Sequence, residues 1–316
     1  MKSNSLSGQT IFSVNGANYL LMDEIGKGGY GKVHNATKLH TDEIVAIKTL
    51  HFKSNPKPYF KQQYINRFEQ EIKMGTMLHH PNIMQLLDYG YLKNEEPFAV
   101  FEYVKGPTLN EFIIQNRFLA PQTVQSIMLQ LLDALNEIHA KGIIHCDLKP
   151  QNVMLHLNGE QASAKLFDFG GSTFTTPVAL NKNTNPSILT TAQYASPEQL
   201  RGHTPTLQSD LYSWGLLLLE CLTGRPAMQG ESIAAIIKKQ LGDTEVQMPK
   251  GIFSKDLKAL LNKVLEKDYH LRIENAAALK AAFSKIDFSK IVIKPDSEIM
   301  SIITPAETDT IRIDNR

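Results

Sequence analysis

The sequence predicts an α+β chain of two lobes, a small β-rich lobe with one main helix and a larger helical lobe after it. Three observations carry that expectation. Between Tyr19 and Val104, short apolar or alternating runs (YLLMDEI, YGKVHNAT, EIVAIKTL, LLDYGYL and FAVFEYV) are separated by Gly, Asn, Asp and Lys-Asn turns, the pattern of half-buried strands. After Gly106 the period changes, and Val124, Ile127, Met128, Leu131, Leu135 and Ile138 recur at three- and four-residue spacing, as on one helix face. The 316 residues, 42% hydrophobic and 21% charged, have ordinary globular composition and length for about two compact units of roughly 150 residues.

Taken in order, residues 1–18 are polar and small and are expected to be loose. The folded part is expected over 19–286, as lobes of 19–104 and 105–286, with a tail over 287–316. In the first lobe one helix is predicted from Tyr64 to Leu78, after a connecting loop, HFKSNPKPYF, that holds two prolines. In the second, Pro121 and Gly142 punctuate the first long helix. Gln208 to Leu222 is apolar nearly all round and stops at Gly224, which suits a central buried helix. Asp256–Val264 and Ala276–Phe283 are further helices. The stretch from Gly171 to Thr191 is long for a connection, rich in Ser, Thr and Asn, and marks a functional or disordered segment.

Composition excludes several classes. With 33 basic and 32 acidic residues the net charge is +1, so no global field draws the chain to nucleic acid or an anionic membrane. The two cysteines, Cys146 and Cys221, form no CxxC pair; a disulfide scaffold and a cysteine metal site are not expected, and a reducing, cytoplasmic setting is, with export as an effector left open. The N-terminus lacks the apolar stretch of a signal peptide. The longest apolar run, Leu211–Leu222, has 12 residues and is too short to span a bilayer.

Four motifs carry chemistry. Gly26, Lys27, Gly28, Gly29, Tyr30 and Gly31 lie between two strand-like runs; glycines let a backbone approach phosphate oxygens, and the strand that follows favours a hairpin over a strand–helix turn. Lys48 sits in the β-prone run VAIK, and an inward-facing lysine needs a carboxylate, for which Glu71 on the following helix is the candidate; Glu69 would face elsewhere. The segment His145-Cys146-Asp147-Leu148-Lys149-Pro150-Gln151-Asn152 places an acid for a hydroxyl proton, a cation for phosphate and an amide for a metal within six residues. Asp168-Phe169-Gly170 follows the strand-like AKLF and offers a carboxylate for Mg²⁺ on phosphate oxygens.

The order GxGxYGxV, VAIK, helix Glu, HxDLKPxN, DFG and a Pro-Glu element resembles the protein-kinase signature set. Ser196-Pro197-Glu198 resembles the family's Ala-Pro-Glu, Asp210 its helix-capping aspartate, and Arg272 the arginine that pairs with Glu198. The LKPxN wording resembles Ser/Thr kinases, and YASPEQL resembles bacterial members. The resemblance implies the bilobal protein-kinase fold and transfer of the ATP γ-phosphoryl group to a protein Ser or Thr hydroxyl, with autophosphorylation. It implies that Gly26 to Gly31 cover the phosphates, that Lys48 held by Glu71 contacts them, and that Asp147 takes the hydroxyl proton. Lys149 would neutralise the γ-phosphate, Thr191 would support Asp147 and Lys149, and Asn152 and Asp168 would hold Mg²⁺, or Mn²⁺ in its place. Val33, Ala46 and Met154 would sandwich adenine, with Phe101 as gatekeeper and Glu102 to Val104 as hinge. The competing classes are a nucleotide-binding pseudokinase serving as a scaffold, which would need none of Lys48, Glu71, Asp147, Asn152 and Asp168, and a small-molecule kinase, which would not need the Ser-Pro-Glu element.

Three features depart from the pattern or add to it. Cys146 stands where the family commonly has the arginine that grips an activation-segment phosphate, which predicts activity independent of one phosphate held there; a redox role for Cys146 is the lesser reading, because Asp147 opposes thiolate formation. Gly75, one turn after Glu71, reads as close packing ahead of a helix that shifts easily. In the tail, Thr308 and Thr310 are candidate autophosphorylation sites, and Thr310 with Ile313 has the spacing of a phosphothreonine ligand for a forkhead-associated domain.

Overall fold

The computed structural model describes residues 10–27, 31–52, 57–92, 95–117, 119–159, 161–175, 192–242, 246 and 252–293. The first lobe is built on six antiparallel strands: β1 (Ile11–Val14), β2 (Ala17–Lys27), β3 (Gly31–Lys38), β4 (Glu43–Leu50), β5 (Leu86–Tyr91) and β6 (Pro97–Glu102), in the order β1-β2-β3-β4-β6-β5. The side-chain alternation of β4 divides the sheet into two faces. Val45 and Ile47 point to one face and pack with Phe12, Val14, Tyr19, Ala36, Phe98 and Val100. Ala46 and Lys48 point to the other, where helix α1 (Pro58–Met77) lays Phe68 and Ile72 against Leu86 and Ala99.

The N-terminal expectation is corrected here. Residues 10–18 are not loose: β1 folds back on β2 through Asn15-Gly16, both at positive φ (48° and 81°), and buries Ile11, Phe12 and Val14. Asn-Gly between apolar residues is a hairpin signal, because both residues tolerate the left-handed backbone of a tight turn. Helix α1 also begins earlier than Tyr64. Pro58 occupies its first turn, where a missing N–H costs nothing, so the second proline of the presumed loop starts the helix. Gly75 is a close-packing glycine: a β-carbon there would lie 3.2 Å from Leu86 Cβ and Cδ2.

The second lobe packs around α3 (Pro121–Ala140) and α5 (Leu207–Thr223), with α2 (Leu109–Asn116), α4 (Pro197–Leu200), α6 (Ile233–Leu241), α7 (Lys255–Val264) and α8 (Ala276–Phe283) around them. Ser209 to Leu222 of α5 are all buried, and the helix ends at Gly224 with φ 72°. Trp214 donates its indole N–H to the Met128 carbonyl (3.0 Å), locking the two central helices. Hairpin β8 (Val153–Asn158) and β9 (Gln161–Leu166) lies under the first lobe's connection, and β7 (Ile143–Ile144) pairs with β10 (Thr173–Phe174). The expected tail is corrected in its first residues: Phe288 and Ile291 join the core, and β12 (Val292–Ile293) pairs with β11 (Ile252–Phe253). Among the described residues, no helix is long and apolar enough to cross a membrane.

Candidate active site

Strand geometry brings the predicted groups together. Gly26 and Lys27 close β2 opposite Val33 and Lys32, so β2 and β3 pair as a hairpin, as the following strand implied; Gly28, Gly29 and Tyr30 lie outside the described residues. Val33 and Lys48 are directly paired across β3 and β4, and Ala46 pairs with Phe101, which places all four on the sheet face turned towards α1 and the second lobe. Lys48 Nζ donates to Glu71 Oε1 (2.6 Å) and to Asp168 Oδ1 (3.0 Å), joining β4, α1 and the segment after β9 through one ammonium group. Burial alone would pull the Lys48 ammonium down, but Asp168 and Glu71 outweigh it and hold its pKa raised. The same ammonium, against burial and with help from Lys149 and His145, depresses the Asp168 carboxyl to about 2.

The catalytic loop takes its shape from Asp210. This wholly buried carboxylate accepts the backbone N–H of His145 at Oδ2 and of Cys146 at Oδ1, both at 2.8 Å, while His139 Nε2 lies 2.8 Å from Oδ2. It thereby holds Cys146 at φ 65°, a left-handed conformation that a side chain rarely adopts. Asp147 then emerges with Oδ2 accepting from Lys149 Nζ (2.8 Å) and Asn152 Nδ2 (3.0 Å). Asn152 Nδ2 also donates to the Asp147 carbonyl (2.8 Å), so its amide oxygen is the atom left with lone pairs for a cation. Asp168, at φ 67°, turns the chain so that a β-carbon on Gly171 would lie 3.3 Å from Asp147 Cβ. One carboxylate and one amide oxygen suit a hard cation that draws its remaining ligands from phosphate and water.

The nucleotide-side residues are also placed. Phe101 packs against the Phe68–Ile72–Leu86 group. Glu102 commits its carboxylate to Lys165 Nζ and the Gln85 N–H, both at 2.8 Å, and its own N–H donates to the Gln85 carbonyl (3.0 Å). Val104 is buried, and Met154 on β8 bridges to Thr108, the N-cap of α2. Thr191, most of the 171–191 stretch, and the tail threonines Thr308 and Thr310 lie outside the described residues. The Cys146 thiol is pushed well up by burial, then by Asp210 and Asp147, which disfavours its thiolate.

Beside the loop lies a platform with one fastening that the sequence suggested and others that it did not. Arg272 forms a two-pronged pair with Glu198 (2.8 and 2.9 Å), as the resemblance implied, and Ser209 Oγ adds a third bond at 2.6 Å. Gln199 Nε2 donates to the Cys146 carbonyl (2.8 Å), tying the platform to the residue before Asp147. Ser213 Oγ holds the Tyr194 carbonyl (2.8 Å), and the Tyr194 hydroxyl donates to buried Glu220 (2.7 Å). The one available signal was polar residues inside the apolar run of α5.

Burial pushes the Glu220 carboxyl up to about 7 although Tyr194 donates to it. An acid whose folded pKa is raised gives full stability below its unfolded value of 4.5 and loses it as pH rises through about 7. Glu220→Gln keeps the acceptor and removes the ionisation. The variant is therefore expected to gain up to about 3 kcal/mol relative to wild type between pH 4.5 and 8, read as melting temperatures across that range. A difference that does not vary with pH would contradict the assignment.

The site thus joins a lysine braced by a helix glutamate and an aspartate with a loop Asp–Lys–Asn group held by its own hydrogen bonds. A model of the protein kinase domain family matches residues 19–284, and the chain belongs to that family. Among curated proteins it is 35% identical over 272 residues to a probable serine/threonine-protein kinase of Streptomyces coelicolor, covering 84% of this chain and 39% of the relative. It is 32% identical to the probable kinase PknB of Bifidobacterium longum (92% and 45% covered) and 33% identical to the kinase PrkC of Bacillus subtilis (90% and 44%). The chain thus spans less than half the length of these relatives.

Proposed function

We propose that this chain is a serine/threonine protein kinase that moves the γ-phosphoryl group of ATP to a protein hydroxyl. The observation that carries the reading is the joint placement of Lys48, Glu71 and Asp168 with Asp147, Lys149 and Asn152. Each group has a task that its geometry supports. Lys48, fixed by two carboxylates, presents positive charge to the α- and β-phosphates without having to be organised at the moment of reaction. Asp147 orients the attacking hydroxyl and takes its proton, and Lys149, 2.8 Å away, offsets charge on the transferred group. Asn152 and Asp168 would hold Mg²⁺, which neutralises charge building on the phosphate oxygens. The names of the relatives and the Ser196–Glu198 platform favour a protein substrate with a Ser or Thr acceptor.

The experiment is transfer from radiolabelled ATP with Mg²⁺, by the protein alone and with a generic basic protein. No label above that of the Asp147→Asn variant would sink the reading. Mass spectrometry of the same reaction tests the finer proposal that the tail is autophosphorylated at Thr308 or Thr310 and presented to a phosphothreonine-reading partner.

The start of the activation segment is fastened without a phosphate. Ser172 Oγ donates to the His145 carbonyl (3.0 Å), Gln70 to the Ser172 carbonyl (3.2 Å), and Lys73 lies over the Phe174 ring at 5.5 Å. Alanine at Thr173, Thr175, Thr176, Thr184, Ser187 and Thr190 together is expected to leave most of the activity in place. A folded but inactive sextuple variant, by the same assay and circular dichroism, would show instead that one of these positions must be phosphorylated.

A further inference from the structure

Helix α6 meets the rest of the lobe through few buried residues. Only Ile236 and Gln240, one turn apart on the same face, are buried along it. Ile236 fits the apolar core, but a glutamine at 0% exposure does not come cheaply: its amide carries two donors and an acceptor that lose water on burial. Gln240 meets that demand in a particular way. Its Oε1 accepts the Tyr212 hydroxyl from the central helix α5 (2.6 Å), and its Nε2 donates to the backbone carbonyl of Gln193 (3.4 Å). Its own carbonyl accepts from Lys267 Nζ (3.0 Å), which also donates to the Tyr212 hydroxyl (3.3 Å). The Tyr212 ring is held in turn by the Arg272 guanidinium, 4.7 Å from its centroid.

Gln193 is the residue before Tyr194, whose carbonyl and hydroxyl are both anchored on α5. A few residues on, Gln199 ties the same stretch to the carbonyl of Cys146, next to Asp147. On the kinase reading, this stretch, tied beside Asp147, would form one wall for a polypeptide delivering its hydroxyl, and the Gln193 carbonyl belongs to it. Resting on the kinase reading above, we propose that Gln240 is a positioning residue for the protein substrate, holding the 193–196 backbone from α6 through a buried amide oriented by Tyr212.

Gln240→Met keeps side-chain length and flexibility and removes both hydrogen-bonding ends. With myelin basic protein as substrate, its KM for that protein is expected to rise roughly five- to tenfold, with KM for ATP unchanged. Gln240→His, whose ring has one donor and one acceptor, is expected to recover the wild-type value. General loosening of the lobe would move both KM values and would not be repaired by histidine. A wild-type protein KM in Gln240→Met, or no recovery in Gln240→His, overturns the inference while leaving the kinase reading intact. A wild-type chain that transfers nothing overturns both. Should Gln240→Met fail to fold, Tyr212→Phe carries the same test: it removes only the hydroxyl that orients the amide, and an unchanged protein KM there also overturns the inference.

Discussion

Asp147→Asn is expected to yield a folded protein whose phosphoryl transfer falls by about 10²- to 10⁴-fold, the range that one positioned acid–base group supplies. The reason lies in what asparagine keeps and what it loses. Its oxygen can still accept from Lys149 Nζ or Asn152 Nδ2, so the loop, whose shape is fixed by Asp210 through the His145 and Cys146 amides, keeps its course. An amide cannot take a proton from an incoming hydroxyl at neutral pH, and it no longer balances the Lys149 ammonium 2.8 Å away. The measurements are initial rates with saturating ATP and a melting curve. Activity near that of wild type, with an unchanged melting temperature, would remove Asp147 from the role given to it.

Arg272→Met carries the largest expected loss of stability, about 3–5 kcal/mol, because it strands a buried carboxylate. The Glu198 and Arg272 side chains are 2% and 0% exposed, and the guanidinium also donates to the carbonyls of Glu266, Lys267 and Gln208. Burial alone would raise the Glu198 pKa; Arg272 and Ser209 together bring it below the ordinary value. Without Arg272, burial dominates, and Glu198 is expected to cost more stability as pH rises. Urea unfolding should therefore show the variant least impaired in acid. The double variant Glu198→Met, Arg272→Met should recover part of the loss, since no unpaired charge remains. A double variant as unstable as the sum of the two single ones would mean that the pair is not coupled.

Much of this molecule was readable before its shape was known, for a physical reason. Strands β2 to β6 were visible because alternate residues on a half-buried sheet must differ in polarity, and α8 matched its predicted limits because its apolar spacing and Asn275 cap are local. The candidate site residues were readable because several motifs, each weak alone, stand in the joint order and spacing that resembles the protein-kinase signature set. What escaped depends on contacts between distant residues. Nothing near Gln240 or Gln199 tells that one reaches Gln193 and the other Cys146. Asp210 could be matched to a helix cap by resemblance, yet its bonds to the catalytic-loop amides cross more than sixty residues. The ends were misjudged although short apolar runs stand there, Ile11 to Val14 before Asn15-Gly16 and Ile291 to Ile293, because their place in the fold depends on pairing with β2 and with the distant β11.

The N-terminal hairpin has a practical consequence. A gene trimmed to begin at Tyr19, where the family match starts, would strip Phe12 and Val14 from Phe98, Val100 and Ile47 and turn β2 into a raw edge. Such a fragment would present a greasy trough beside unpaired backbone, inviting chains to stack on one another. Anyone producing this chain for assay should retain the segment from Thr10 onward and treat precipitation of shorter versions as a cloning artefact rather than a property of the fold.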